Sequence, residues 1–336
     1  KRSFIKSSIY DIFLKMTVNE KNKWNFHPKL PVGFYPLFDW PPSPMKWIKF
    51  IWNYWLQKSD RTILLLISLF AYFFLFPPME EMSKIEFDWI SLIVLRNYFL
   101  ILVVAGGLHW WFFMRQGQGD QFKYDTRTRN NQSKIFTFNN NVYDNMFWTL
   151  VFGVPIWVFF EVILLWSFGS GRIEIFYFND GWIWFCLLFP LLQIWQSFHF
   201  YCYHRLIHIP FLYKIAHSVH HRNVNPGPWS GYSMHPIEQT IYISSLLIHL
   251  VVPSHPLHIL YHLYWLVLGT ISTHAGYEKI WVKEKNLLTV GSFFHHLHHR
   301  YFNCNYGNPE IPFDRWFGSY HDGTEEATNK LKNKLI

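Results

Sequence analysis

Charged residues are scarce in this chain, and their scarcity limits the classes of protein to which the chain can belong. Only 15% of the 336 residues are Asp, Glu, Lys or Arg, while 50% are hydrophobic and 21% are aromatic. Soluble domains carry about 25% charged residues, so the composition excludes an ordinary soluble domain and predicts a membrane protein. The net charge of +8 comes without a polar basic stripe interleaved with stacking aromatics. A basic membrane surface explains that charge better than a nucleic-acid partner does.

Cysteine and nucleotide-binding glycine motifs are also lacking. The three cysteines, Cys186, Cys202 and Cys304, are odd in number and have no paired spacing. They form neither a disulfide framework nor a thiolate metal site. No G-x-G-x-x-G fingerprint for a flavin or nicotinamide occurs, because Gly106 and Gly107 lie inside an apolar segment. Electrons for any redox chemistry therefore have to come from another protein.

Histidine, in contrast, is abundant and recurs at helical spacing. Five of the 19 histidines lie in H-R-L-I-H-I-P-F-L-Y-K-I-A-H-S-V-H-H, which begins at His204. Residues three or four positions apart share one face of a helix, so such spacing brings imidazoles side by side. The H-x-x-H-H pattern returns in S-F-F-H-H-L-H-H-R, about ninety residues after His204. Eight histidines follow these patterns: His204, His208, His217, His220, His221, His295, His298 and His299.

Eight imidazoles are more than one metal ion can bind, so the pattern favours two metal ions. Acidic residues are sparse around the clusters, which indicates sites built of nitrogen ligands. Neutral imidazole suits zinc, iron, copper and nickel. The competing interpretation is that these histidines only lie at the water interface of a membrane protein, but that role does not require regular spacing.

Long apolar segments predict the fold class, an all-α integral membrane protein. A transmembrane helix needs about 20 apolar residues. Four segments approach this length: 62–78, 92–113, 147–168 and 182–203. A longer apolar region, 241–271, contains Pro253 and Pro256 and is predicted to form a re-entrant helical hairpin.

The distribution of Lys and Arg predicts the topology. The segments before residue 62 and from 115 to 146 contain 11 and 5 basic residues, whereas 79–91 and 169–181 contain one each. The positive-inside rule then places the N-terminal segment in the cytosol. All three histidine clusters consequently belong to a helical cap on the cytosolic side.

Three regions divide the chain. Residues 1–61 form a basic, aromatic arm, in which six prolines between Trp24 and Pro44 exclude regular helix. We expect this coil to lie on the membrane or on the folded body, and residues 45–57 to form an interfacial helix. Residues 62–324 form the membrane domain, and 325–336 form a basic tail.

The histidine clusters resemble the histidine boxes of the fatty acid hydroxylase/sterol desaturase superfamily. The resemblance covers about residues 190–324 and rests on H-R-L-I-H, H-S-V-H-H and H-H-L-H-H-R-Y-F-N-C-N-Y-G. It extends through P-G-P-W-S-G-Y-S-M-H-P, T-H-A-G-Y-E and F-D-R-W-F-G-S-Y-H-D-G-T. The arm segment W-N-F-H-P…L-F-D-W-P-P is similar to the sterol-desaturase-like branch.

This resemblance implies two non-haem iron ions, sometimes replaced by zinc in isolated protein, that activate O2 to hydroxylate or desaturate a lipid. The eight box histidines are then the catalytic metal ligands. His235 and His274 match two further family histidines, as ligands or as partners that orient ligands, and His199 is a weaker candidate. Members often carry an acidic residue where this chain has Ser197.

The resemblance also implies partners and a location. The lipid substrate, a sterol (with C-5 desaturation the most specific version) or a fatty acyl chain, would enter from the bilayer. Electrons would come from a donor such as cytochrome b5 and its reductase. The endoplasmic reticulum is the expected membrane, with the mitochondrial inner membrane as the alternative.

Two other functions remain open. A zinc hydrolase or cyclase is disfavoured, because catalytic zinc usually keeps three protein ligands and an open position. A non-catalytic accessory subunit of a larger membrane complex, such as a respiratory assembly, would fit Ser197 and the long aromatic arm. The absence of a start methionine would agree with a removed organelle presequence.

Overall fold

The computed structural model describes residues 24–55, 59–127 and 134–333, so most of the basic start of the arm lies outside the described residues. Two short strands pair as an antiparallel hairpin, β1 (Lys279–Val282) and β2 (Lys285–Thr289). Short 3-10 turns occupy Pro36–Phe38, Glu81–Ser83, Phe178–Asp180 and Pro228–Ser230. The helices, with the π and 3-10 turns that continue them, are α1 (Pro44–Trp55), α2 (Asp60–Phe74), α3 (Phe87–Met114), α4 (Asn141–Gly169), α5 (Trp182–Ile207), α6 (210–221), α7 (236–250), α8 (256–273), α9 (Phe293–Tyr301), α10 (Phe313–Trp316) and α11 (Glu325–Asn333).

The all-α membrane fold is confirmed. Within the described residues, three helices are long and apolar enough to cross a membrane: α3, α4 and α5. They contain three of the four predicted spans. The first predicted span is the shorter helix α2, which has 15 residues and ends at Phe74. Pro77 and Pro78 stop it there, because a proline interrupts the helical hydrogen bonds.

The long helices exceed the thickness of a bilayer. They contain 28, 29 and 26 residues, which corresponds to roughly 40 Å at about 1.5 Å per residue. The hydrocarbon core is only about 30 Å thick. The helices therefore extend beyond it, and the ends of α3 and α5 and the start of α4 carry the polar cap.

The predicted hairpin consists of α7 and α8, joined at residues 251–255. Its tip reaches the loop between α4 and α5, where the Phe176 amide donates to the Ser254 carbonyl at 3.0 Å. Every residue of α8 from Pro256 to Tyr264 is buried. The hairpin thus runs the full depth of the helix bundle and forms its core, while its open end faces the histidines.

The proline-rich arm lies on the folded body. The Val32 amide donates to the Asp322 carbonyl at 2.9 Å, and the Tyr35 amide donates to the Pro309 carbonyl at 2.8 Å. Helix α1 follows, with Ile48, Ile51 and Trp52 exposed. These apolar residues lie on a short amphipathic helix, whose interfacial role stays a prediction.

A buried ion pair joins the middle of α3 to α4. The Arg96 guanidinium donates to the Glu161 carboxylate, which also accepts a hydrogen bond from Asn97 Nδ2 at 2.8 Å. Both charged side chains are almost completely buried. Charges in a membrane interior are costly unless they are paired, so each partner depends on the other.

We expect single and double variants of this pair to behave differently. Arg96→Met or Glu161→Met alone leaves an uncompensated buried charge and should lower the free energy of unfolding by about 3–5 kcal/mol. The double variant Arg96→Met/Glu161→Met should lie close to the wild type in thermal melting of the detergent-purified protein. Additive losses in the double variant would contradict this interpretation.

Candidate metal centre

Four helices bring their histidines to one end of the bundle. His204 and His208 lie at the end of α5, and His274 follows α8 directly. Pro210 separates α5 from α6, since the residue before a proline disfavours helix and proline suits a first turn. Helix α6 then supplies His217, His220 and His221, and α9 supplies His295, His298 and His299.

The start of α9 is defined by two residues. The Ser292 hydroxyl accepts from the His295 amide at 3.2 Å and caps the helix. Gly291 precedes it with a φ of +71°, and a Cβ there would lie 2.0 Å from the Tyr277 carbonyl. Only glycine fits this position, so the turn fixes how α9 faces the other histidine helices.

The ligand nitrogens form two groups, each with all members within 4.8 Å of one another. Five histidines form the first group and four form the second. The two groups do not follow the sequence motifs. His220 belongs to a different group from His217 and His221 on α6, and His298 belongs to a different group from His295 and His299 on α9. The five-histidine group is His204, His208, His217, His221 and His298, and the four-histidine group is His220, His274, His295 and His299.

Imidazole nitrogens approach one another closely in both groups. In the five-histidine group, Nε2 of His217 lies 3.0 Å from Nε2 of His204 and 3.1 Å from Nε2 of His208. In the four-histidine group, Nε2 of His274 lies 3.0 Å from Nε2 of His299 and 3.1 Å from Nε2 of His295. Ligands about 2.0–2.1 Å from one metal ion are separated by roughly 3.0–3.4 Å, so this spacing fits a shared ion.

Hydrogen bonds at the opposite ring nitrogen fix the tautomer of six of these nine histidines. A carbonyl or carboxylate oxygen can only accept, so Nδ1 carries the proton and Nε2 keeps its lone pair. Such second partners orient metal ligands and raise their basicity. The acceptors are the carbonyls of Tyr306 for His204, Ser233 for His220, Thr270 for His274, Cys304 for His298 and Asn223 for His299, and the Glu238 carboxylate for His217.

Burial keeps the imidazoles neutral. It lowers the pKa of His220 to about 4 and that of His298 to about 3, because an apolar surrounding disfavours the charged ring. Neutral lone pairs 3 Å apart repel one another, whereas a cation between them would remove that repulsion. The donor set therefore fits metal ions that accept nitrogen ligands, such as iron or zinc.

Glu238 is a site residue that the sequence reasoning missed. Its Oε1 accepts from His217 Nδ1 at 2.7 Å, and the carboxylate is completely buried. The available signal was an isolated acidic residue at the start of an otherwise apolar hairpin, three positions after His235.

Asp314 acts indirectly on His204. Its carboxylate accepts from the amides of Tyr306 and Gly307 at 2.9 and 2.8 Å, which holds the loop whose Tyr306 carbonyl receives His204 Nδ1. Arg315 lies over the rings of Phe34 and Tyr320, and Asp314 organises this loop.

The structure brings together nine of the ten histidines that we considered as metal ligands. The exception is His235, whose Nδ1 accepts from the Ile237 amide at 3.3 Å and caps α7. His274, which lies outside the boxes, joins the four-histidine group. His199 contacts the Ser244 hydroxyl at 3.3 Å and belongs to neither group.

The histidines of the hairpin are structural. His249 Nε2 contacts His262 Nδ1 at 3.2 Å, which ties α7 to α8. His258 Nε2 donates to the Phe185 carbonyl at 2.8 Å, which ties α8 to α5. All of them are buried, so they stabilise the core and do not lie at the water interface.

A cavity of about 510 Å³ borders both histidine groups. Its wall includes His204 and His217 from the first group and His220, His274 and His295 from the second, and its middle is lined by Phe200, Tyr203, Met234, Tyr242 and Trp265. Trp229 and Tyr232, which lie close to Met234 in the sequence, pack in the hydrophobic core.

Residues 189–319 match the family model described as fatty acid hydroxylase. These residues form a domain of the fatty acid hydroxylase/sterol desaturase superfamily. The matched residues run from within α5 through α10 and include all nine clustered histidines.

Several proteins similar to this chain carry sterol-modifying names. The chain is 33% identical over 169 residues to a Delta(7)-sterol 5(6)-desaturase of Gibberella zeae, a segment that covers 46% of this chain and 50% of that protein. It is 32% identical over 143 residues to a Delta(7)-sterol 5(6)-desaturase of Aspergillus fumigatus, covering 42% and 39%. It is also 33% identical over 145 residues to a protein of Dictyostelium discoideum whose name is that of a methylsterol monooxygenase, covering 40% and 52%.

The match to these relatives is partial. The chain spans about half the length, or less, of the curated relatives it matches. No solved structure matches the chain.

Each histidine group should lose its metal independently. Loss of one ligand weakens only the group that contains it, so His298→Ala and His295→Ala should each reduce metal content from about two ions per chain to about one. His235→Ala serves as the control and should retain both. Elemental analysis of detergent-purified, metal-loaded protein checks this, and loss of both ions from one single variant would contradict two separate sites.

Glu238 should affect metal affinity through His217. Removal of a partner that orients a ligand typically costs about 10–100-fold in affinity. Glu238→Ala should therefore weaken metal binding by about that factor, and Glu238→Gln should weaken it less, because its amide oxygen still accepts from Nδ1. Chelator competition measures the two affinities, and equal affinities in wild type and Glu238→Ala would disprove the orienting role.

Proposed function

We propose that this protein is an O2-dependent oxidoreductase that hydroxylates or desaturates a membrane lipid with two iron ions. The observation that carries the proposal is the convergence of nine neutral imidazoles in two groups on one cavity whose wall beside them is aromatic. A site that only stabilised the fold would not need a cavity against both groups.

His204, His208, His217, His221 and His298 would hold one iron, and His220, His274, His295 and His299 the other. When bound, the irons supply the oxidising power that removes hydrogen from an unactivated C–H bond. The chain's own contribution is to orient the rings and, in six of the nine histidines, to keep Nε2 deprotonated. The acceptors at Nδ1 perform this task, and Glu238 performs it for His217.

The cavity wall would orient the substrate and exclude water. Phe200, Tyr203, Tyr242 and Trp265 present aromatic surface directly beside the histidines. An apolar chain or ring fills such a space favourably, because it leaves water when it enters. The names of the relatives favour a sterol, while the family described by the matching domain favours a fatty acyl chain. We keep both substrates in the proposal.

Electrons would reach the irons from a separate carrier at the cytosolic face. The basic cytosolic loops suit an acidic donor such as cytochrome b5 with its reductase. The three membrane helices and the sterol-related relatives support a location in the endoplasmic reticulum membrane.

Reconstituted protein should consume O2 and modify lipid. Iron-loaded protein in nanodiscs with a chemical reductant, supplied separately with a Delta(7)-sterol and a fatty acyl lipid, should yield one product with an added hydroxyl or double bond, detected by mass spectrometry. His298→Ala and His295→Ala should each reduce the rate at least about 100-fold, because each removes an iron ligand. His235→Ala is the folded control. Iron-loaded wild type that yields no product with either lipid would favour the accessory-subunit alternative.

A further inference from the structure

The cavity has a second, polar end that the metal ligands do not explain. Its wall there includes the charged residues Asp60, Arg61 and Glu310, which come from the start of α2 and from the loop before α10. Tyr35 and Tyr54 line the same end. A cavity that binds only an apolar chain has no need of buried charges.

Arg61 is held at this end by three kinds of contact. Its Nη2 donates to Glu310 Oε1 at 2.6 Å, and its Nε donates to Gln193 Oε1 at 2.8 Å. The guanidinium lies over the rings of Tyr35, Tyr54 and Trp265, 5.0–5.5 Å from their centroids. Its side chain is only 3% exposed, so these contacts preorganise it against the cavity.

The charges around Arg61 favour an uncharged ligand group over an anionic one. Arg61 contributes one positive charge, whereas Glu310 and Asp60, at 2.6 and 3.5 Å from its nitrogens, contribute two carboxylates. A ligand carboxylate or phosphate would meet no net positive charge there. A hydroxyl can donate to a carboxylate and accept from the guanidinium, so it satisfies both partners.

Residue positions along two helices, α5 and α8, determine the distance between the polar end of the cavity and the histidines. On α5, Gln193 contacts Arg61, Ser197 Oγ lies 3.4 Å from Glu310 Oε2, and His204 follows. These intervals of 7 to 11 residues correspond to roughly 10–16 Å at about 1.5 Å per residue. On α8, Trp265 and His274 are 9 residues apart, which gives roughly 13 Å.

We propose that Arg61 and Glu310 bind the hydroxyl of an uncharged lipid alcohol whose reacting carbon lies roughly 10–16 Å away, a distance set by helix rise. This inference rests on the proposed function and narrows its substrate class. For an extended chain the distance corresponds to roughly eight to thirteen carbon–carbon bonds at standard bond lengths and angles. A sterol held in this way would present its side chain to the histidines, because ring carbon C-5 lies only about 4 Å from the 3-hydroxyl.

The contacts of Glu310 also explain why this chain has a serine at position 197. It stands where members of the superfamily often carry an acidic residue, and the Glu310 carboxylate lies beside its hydroxyl. The negative charge is thus present in this chain, but it comes from a different element and is coupled to Arg61.

Lipid binding tests the inference without turnover. The detergent-purified, metal-loaded full chain would be titrated with hexadecan-1-ol, hexadecane and palmitate at pH 8, and bound lipid would be counted by native mass spectrometry. Wild type should bind hexadecan-1-ol about 10–100-fold more tightly than hexadecane, the difference that hydrogen bonds to charged groups supply. Palmitate should bind more weakly than the alcohol.

Three variants make the test specific. Arg61→Met/Glu310→Met should lose the preference for the alcohol over hexadecane, since no polar partner is left. Arg96→Met/Glu161→Met removes a buried ion pair outside the cavity and should keep the preference. Glu310→Gln changes the side chain little but removes one negative charge, so it should shift the preference from the alcohol toward palmitate.

The outcomes separate this inference from the proposed function. Equal binding of alcohol and hexadecane by wild type, tighter binding of palmitate than of the alcohol by wild type, or an unchanged preference in Arg61→Met/Glu310→Met would overturn it. If the binding preferences appear but no lipid is oxidised, the proposed function fails while the alcohol site stands. If lipid is oxidised within three bonds of its hydroxyl, the function stands and the site assignment is wrong.

Discussion

Repulsion between bare imidazole nitrogens is the constraint on which the rest of this structure depends. Nine histidines point their Nε2 atoms at one another across gaps of about 3 Å. Two neutral rings that both carry their proton on Nδ1 cannot bridge such a gap by a hydrogen bond, and charged rings are excluded by burial. The surrounding protein therefore has to supply rigidity, which it does through backbone carbonyls and one carboxylate that hold the opposite ring nitrogens.

The membrane bundle provides that rigidity. The hairpin of α7 and α8 fills its centre, and buried polar contacts such as His249 with His262 fix the hairpin in place. Because α8 ends immediately before His274, any shift of the hairpin would move a ligand. Long spans that extend beyond the bilayer then raise the histidines to the membrane surface, where the cavity joins an apolar wall to a polar end.

Helical spacing in the sequence was enough to find the membrane fold and the histidines, but not their grouping. The spacing shows that His217, His220 and His221 share one helix; it does not show which helix faces each ring. In the structure His220 joins His274, His295 and His299, while its two neighbours join the α5 histidines and His298. Glu238 and the Arg61–Glu310 pair were missed for a related reason. Arg61 and Glu310 are 249 residues apart, and only tertiary packing joins them.

The loop that holds His204 has a consequence for biogenesis. His204 and His208 leave the ribosome about a hundred residues before Tyr306 and Asp314, which complete the support of His204. During that interval His204 lacks the loop that holds its Nδ1, since chains fold progressively as they are synthesised. If the two groups hold metal ions as we propose, an ion captured at this stage finds no ligands from α9, so complete loading follows the synthesis of α9.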